Sequence, residues 1–151
     1  MRRVTLLVLV VIGVAIPATA TGAAKRTFHV ALRGSSEVPK NPSKAKGTAT
    51  FRIVPGGKAI RFRLTARGLH GSPVAAHIHL GGRRAAGPII ISLEAKNFRL
   101  PASGTVTRKA FSAQGNVRTF AQAIRAIRAG RTYVNIHTTQ NPGGEIRGQI
   151  R

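Results

Sequence analysis

Strict alternation of apolar and polar residues is the feature of this sequence that most restricts its fold. The alternation runs through residues 28–32, 49–53 and 60–64, where every second side chain is apolar. A period of two places the apolar side chains on one face of a β-strand, whereas a helix would scatter them. The tripeptide PGG at 55–57 separates the second stretch from the third and favours a turn. The pattern therefore predicts a β-hairpin with one buried face and one solvated face, and it puts the arginines of these stretches on the solvated face.

Short apolar runs between Gly- and Pro-rich turns predict five further strands, at residues 74–80, 88–93, 104–111, 132–137 and 145–150. Residues 119–129 differ, because their apolar side chains recur at helical spacing, with Thr119 as the N-cap and Gly130 as the stop. Residues 34–47 contain two prolines and three lysines and are predicted to form an extended surface loop. We therefore predict an all-β fold, an antiparallel Greek-key-like β-sandwich with one short helix near residues 119–129.

The N-terminus has the three parts of a secretory signal peptide. Arg2 and Arg3 precede an apolar core at residues 4–16, and a small-x-small pattern ends at Ala20. The apolar run is shorter than the ~20 residues of a membrane-spanning helix, although a retained anchor is the alternative interpretation. We expect an extracytoplasmic protein, secreted or periplasmic, without a transmembrane span after signal removal. The predicted organisation is a signal peptide at residues 1–20, cleaved near Ala20 or at Ala24, and one domain at residues 25–151.

The charge of the chain is strongly one-sided, since 25 lysines and arginines stand against 3 acids and the formal net charge is +22. Such a surface attracts the anionic polymers of a cell envelope, anionic lipid head groups and nucleic acid. The candidate anion-binding residues are Arg83, Arg84, Arg125 and Arg128, in a Gly-rich loop and on the predicted helix. One tyrosine and no tryptophan leave few platforms for base stacking, so no specific nucleic-acid binding is expected. The alternative is that the arginines reflect a biased composition only.

The residue types of the chain exclude several catalytic mechanisms. Cysteine and aspartate are absent, which removes a cysteine nucleophile, thiolate metal sites and a Ser-His-Asp triad. The three acids, Glu37, Glu94 and Glu145, lie far apart in sequence, and paired-carboxylate hydrolysis would need the fold to bring two of them together. We expect Glu37 and Glu145 to pair with arginines such as Arg131 or Arg147. No catalytic residue is predicted.

Three histidines occur at the polar positions of two predicted strands. In the stretch AAHIHL, at residues 75–80, His77 and His79 share the face opposite to the apolar residues, and His137 ends a second strand on its polar side. If the two strands are neighbours, the three imidazoles come within ligand range of one ion, and nitrogen ligands in this number suit copper or zinc. The alternatives are that each imidazole hydrogen-bonds a loop and fastens it to the sheet, or that the histidines sense pH.

Three stretches of the sequence resemble the CHRD domain, a family named for the secreted protein chordin and found in many exported bacterial proteins. They are LRGSSEVPKNPSKAKGTATF, then GLHGSPVAAHIHLGG with GPIIISL, and finally IRAGRTYVNIHTTQNPGGEIRGQI. The last stretch is the most specific, because a strand, an NPGG turn and a GEIRGQI strand follow in fixed order. The family has no established activity, so the resemblance implies an exported location and a β-sandwich architecture and leaves the chemistry open.

A weaker resemblance connects the histidine stretches to the copper/zinc superoxide dismutases. GLHGSPVAAHIH is similar to their copper-ligand strand, and AGRTYVNIH is similar to the later strand that ends in another copper ligand. The resemblance implies that His77, His79 and His137 are metal ligands. The sequence has no histidine between His79 and His137 and no aspartate, so the bridging histidine and the zinc ligands of a dismutase have no counterpart.

Together these features predict an exported, non-catalytic module that contacts an anionic envelope polymer or an extracellular protein through its basic surface. The alternative prediction is a copper- or zinc-binding protein that uses the three histidines.

Overall fold

The computed structural model describes residues 24–95 and 97–151, so the predicted signal peptide lies outside the described residues. The described chain forms eight strands and one α-helix, with three short 3-10 turns between them. The strands are β1 (Thr27–Arg33), β2 (Lys46–Ile53), β3 (Ala59–Arg67), β4 (Pro73–Leu80), β5 (Ile89–Ala95), β6 (Ala102–Thr107), β7 (Thr132–Thr138) and β8 (Ile146–Ile150), and the helix is α1 (Phe120–Arg128). The predicted strand at 104–111 ends earlier, because a 3-10 turn follows β6.

All eight strands belong to one antiparallel sheet with the order β5-β4-β7-β8-β1-β2-β3-β6. The sheet curls until its two ends approach each other, and a bridge between Ile91 and Phe111 forms at this seam. The connections from β3 to β4 and from β6 to β7 each join strands on opposite sides of this seam, which gives a Greek-key path. The all-β prediction is confirmed, and the strands form a single nearly closed sheet around one core.

The predicted alternation decides which side chains enter this core. Burial in β1 alternates residue by residue, with Phe28, Val30 and Leu32 inside. The predicted hairpin pairs β2 with β3 in unbroken register, and the PGG turn at Pro55–Gly57 joins them with Gly56 at a φ of 76°. The arginines of these strands are exposed, as the period of two requires.

Helix α1 covers one end of the core. The hydroxyl of its N-cap, Thr119, accepts a hydrogen bond from the Gln122 backbone N–H, and the Gln122 side chain accepts one from the Thr119 N–H. This capping box satisfies two donors that a helix start leaves free. Ile124 and Ile127 pack into the core, and Gly130 ends the helix with a φ of 66°. The predicted helix is thus confirmed to within a residue at each end.

The outer face of β7 and β8 is covered, unlike that of β1, β2 and β3. All seven residues of β7 are buried, because loops lie over the side of the strand that points away from the core. One of these is the segment predicted to be an extended surface loop. It contributes a 3-10 turn at Gly34–Ser36, and it buries Glu37 and Ser43 against the sheet.

Candidate metal centre

The three predicted histidines meet on the covered side of β4 and β7. The two strands are antiparallel neighbours, with His77 opposite Asn135 and His79 opposite Tyr133. Their inward positions hold apolar residues such as Ile78 and Ile136, so the imidazoles point away from the core. One ring nitrogen from each of His77, His79 and His137 lies within 4.8 Å of the other two.

Loops make this outward side nearly dry. His79 and His137 are only 7% and 8% exposed, and His77 is half-buried. The sequence predicted that the histidines share one face of the sheet. The alternating pattern of the strands does not indicate which loops enclose that face. The imidazoles therefore lie in a partly closed environment at the outer edge of the sheet.

Two of the three imidazoles have their tautomer fixed by a backbone carbonyl. Nδ1–H of His79 donates to the Gly87 carbonyl oxygen at 2.8 Å, and Nδ1–H of His137 donates to that of Pro142 at 2.8 Å. Since a carbonyl can only accept, both rings keep their lone pair on Nε2. A bond from the remote ring nitrogen to a carbonyl is the usual support of a metal-ligating histidine.

The Nε2 atoms of these two rings have different surroundings. Nε2 of His79 is buried and makes no hydrogen bond of normal geometry among the described residues, although the Asn135 side chain lies beside the ring. Nε2 of His137 lies 3.2 Å from Nδ1 of His77, so His77 donates its proton there. A buried polar atom without a partner costs free energy, and an ion that accepted its lone pair would remove this cost.

The three imidazoles are held in their neutral form, which metal binding requires. Burial lowers the pKa of His77 to about 4, and the neighbouring His137 and His79 add to the effect. Burial also lowers the pKa of His79 and of His137, although their carbonyl partners oppose the shift. At neutral pH none of the three rings therefore carries a second proton.

The sequence model of the CHRD domain family matches residues 28–150, nearly the whole described chain. The chain belongs to the CHRD family. At the level of the family, this membership supports a non-catalytic binding or structural module. No curated protein and no solved structure matches the chain.

In this CHRD domain a stack of side chains supports the histidine cluster from one side. The Tyr133 ring stacks on His79 at 4.7 Å between centroids, and the Arg147 guanidinium lies 3.3 Å above the Tyr133 ring. Arg147 is only 2% exposed and donates to the carbonyls of Gly82 and Ala85. Nothing in the sequence around Arg147, which precedes Gly148 on a strand, indicates that this arginine is buried. The stack holds the loop at 81–88 over the site.

Two acids that were expected to pair with arginines have different environments. Glu145 is buried and accepts hydrogen bonds from Ser43, Thr138 and the His70 backbone N–H, so the prediction of an arginine partner is wrong for it. Burial opposes its ionisation, but these donors outweigh burial and keep its pKa below the usual value. Burial raises the pKa of Glu37 to about 7, even though nearby Arg147 favours the charged form.

The four predicted anion-binding residues are exposed but do not form one site. Arg83 and Arg84 line a groove of about 800 Å³ with Lys40 and Arg151. Arg125 and Arg128 lie on the solvent side of α1 and are not part of that groove. In the described part of the chain, no helix has the length and apolar character needed to cross a membrane.

Proposed function

We propose that this CHRD domain is an exported metal-binding module that holds one copper or zinc ion through His77, His79 and His137. The carrying observation is the convergence of one nitrogen from each imidazole within 4.8 Å. Export is supported by the signal-peptide pattern of residues 1–20 and by the family. The ion would be bound and not used in catalysis, in line with the non-catalytic module that the family supports.

His77 distinguishes metal binding from a purely structural role. His79 and His137 hydrogen-bond loop carbonyls, as fasteners would, yet His77 contacts only another histidine among the bonds found in the described residues. A fastening role leaves His77 unexplained, whereas a three-nitrogen site needs it. Neutral nitrogen ligands without a nearby carboxylate favour copper or zinc over magnesium or calcium.

Metal titration of the purified protein tests this proposal. We expect one equivalent of Zn²⁺ or Cu²⁺ with a Kd below about 1 µM. His77→Gln should weaken binding at least ~100-fold, because it removes a ligand without removing a hydrogen bond between a histidine and a loop carbonyl. The matched control is His29→Gln on β1, an exposed position outside the cluster. Equal affinity of the parent and His77→Gln would refute the metal site.

A second function is contact with an anionic envelope polymer or an extracellular protein through the basic surface. It is supported by the net charge of +22 and by the exposure of Arg83, Arg84, Arg125 and Arg128. None of these arginines belongs to the histidine cluster, and His77 makes no hydrogen bond to the loop at 81–88 that carries Arg83 and Arg84. Retention on isolated envelope material should therefore fall with salt and should survive His77→Gln. Retention that is insensitive to salt would contradict this second function.

A further inference from the structure

The outer face of β1, β2 and β3 carries an ordered array of cations. Six exposed basic residues point outward from these strands, and we call them the cationic sheet face: Arg33, Lys46, Arg52, Arg61, Arg63 and Arg67. The pairing from β1 through β2 and β3 to β6 has no bulge, so the residues form straight cross-strand rows. By strand geometry the array is about 10 Å wide and about 20 Å long.

Several of these cations stand directly opposite one another. Arg52 pairs with Arg61 across β2 and β3, and Lys46 pairs with Arg67 on one side and Arg33 on the other. Like charges in opposite positions of a sheet repel and destabilise it. Folding alone gives no reason to place them so, and a bound anion would relieve the repulsion.

Strands β1, β2 and β3 carry no acid that could neutralise this array. The chain has 3 acids, of which Glu37 and Glu145 are buried elsewhere and Glu94 lies on β5. Among residues 24–95 and 97–151, the one ion pair within 4 Å joins His70 to Glu145. The guanidinium groups are thus available to a ligand with several negative charges along its length.

The residues between the cations indicate the class of ligand. Hydroxyl groups alternate with them, and Thr48 and Thr65 are hydrogen-bonded to each other at 2.7 Å in the middle of the array. No Phe, Tyr or Trp points outward from these three strands. Apart from the imidazole of His29 and the methyl groups of alanines such as Ala31, the face has no ring on which a base could stack and no apolar side chain that could insert between lipids. Cations interleaved with hydroxyls suit a chain that carries both carboxylates and hydroxyls.

We propose that the cationic sheet face is the docking surface for a linear acidic polysaccharide that lies across β1, β2 and β3. The proposal rests on the second function given above, and it moves the contact from the four arginines of the loop and helix to the open sheet. The histidine cluster takes no part, since it lies under loops on the other strands.

Two variants of equal charge test the location. The face variant is Arg52→Gln/Arg61→Gln/Arg63→Gln, and the control is Arg83→Gln/Arg84→Gln/Arg125→Gln, which removes the same charge elsewhere. The probe is immobilised polygalacturonate, with neutral dextran as the blank. We expect the face variant to bind at least ~10-fold more weakly at ~0.15 M salt, and its negative slope of log K against log salt should be shallower by about 3. The control should change little in either quantity.

The possible results separate the location of the docking surface from the class of its ligand. No binding of the parent to polygalacturonate would overturn the sheet face as a polysaccharide site, whereas the second function fails only if retention on isolated envelope material is also insensitive to salt. Parent binding with equal losses in the two variants would keep the function but overturn the location, because diffuse charge would then explain it. On vesicles of anionic phospholipid and on duplex DNA, the binding affinities of the two variants should fall by the same factor. A loss confined to the face variant on either surface, with polygalacturonate binding unchanged, would overturn the choice of a polysaccharide.

Discussion

Glu37 shows how a single buried acid couples the stability of this fold to pH. It is 7% exposed, and burial raises its pKa from 4.5 to about 7. The folded protein therefore holds this proton more tightly than the unfolded chain does. The resulting stability is fully present below pH ~4.5 and is lost as the pH rises through about 7.

Glu37→Gln should stabilise the protein at pH 8 by on the order of 1–3 kcal/mol, because glutamine avoids the cost of a buried charge. At pH 4.5 the variant and the parent should be nearly equal, since the parent is then neutral at this position. Urea unfolding at the two pH values measures the difference. A gain of the same size at both would contradict the electrostatic explanation.

His77 has the opposite pH dependence. Its pKa in the folded protein falls from 6.5 to about 4, so the unfolded chain takes up a proton first as the pH decreases. Its contribution to stability is present above pH ~6.5 and is lost as the pH falls towards about 4. We expect the stability difference between the metal-free parent and His77→Gln to shrink over this range. Unfolding curves from pH 7 to 4.5 test it, and a difference that stays constant over this range would contradict the explanation.

At the scale of residues, the sequence could predict which side chains meet but not what surrounds them. The HxH spacing puts His77 and His79 on one face by geometry alone. That His137 joins them depends on β4 and β7 being neighbours, a pairing of strands 60 residues apart. The alternating pattern does not indicate that β4 and β7 are neighbours, and only the resemblance to other proteins suggested it. The stack of Arg147 on Tyr133 was not predictable, because it needs a loop that folds back over the sheet.

At the scale of elements, the alternating strands were predictable because each has one wet side. β1, β2 and β3 keep that side in solvent, so their polar positions are exposed as expected. β7 departs from the expectation that the polar positions of an alternating strand are exposed. Its Tyr133, Asn135 and His137 are buried, like the core residues between them. Its polar residues face other polar groups under the loops. A polar position in a strand pattern therefore indicates the side away from the core and does not establish exposure.

The facing arginines of β2 and β3 lead to a prediction about this hairpin. Arg61 stands opposite Arg52, whereas Arg63 stands opposite Thr50 and Ser103. Arg61→Gln should raise the free energy of unfolding by about 0.5 kcal/mol at low salt, because it removes a like-charge pair. Arg63→Gln is the matched control and should gain less. Unfolding at two salt concentrations checks this, and the gain should shrink at ~1 M salt, where screening is strong.

At the scale of the whole molecule, the excess of positive charge and the histidine cluster act on different parts of the sheet. On the open strands β1, β2 and β3 the basic side chains repel one another. The stability of these strands therefore depends on the anions that neutralise those side chains. The covered strands β4 and β7 are joined to two loops through His79 and His137. An ion bound there would connect the strands and both loops, so metal binding should stabilise the native state as a whole.

Linkage gives the size of this effect. Zn²⁺ at a free concentration about 100-fold above its Kd should stabilise the native state by about 2.7 kcal/mol. For a domain of this size the corresponding rise in Tm is on the order of 10 °C. The rise should grow with the logarithm of the zinc concentration, be absent in His77→Gln and persist in the Arg52→Gln/Arg61→Gln/Arg63→Gln variant, because those arginines lie on other strands. Differential scanning calorimetry with and without a chelator measures it, and an equal rise in His77→Gln would mean that zinc binds elsewhere.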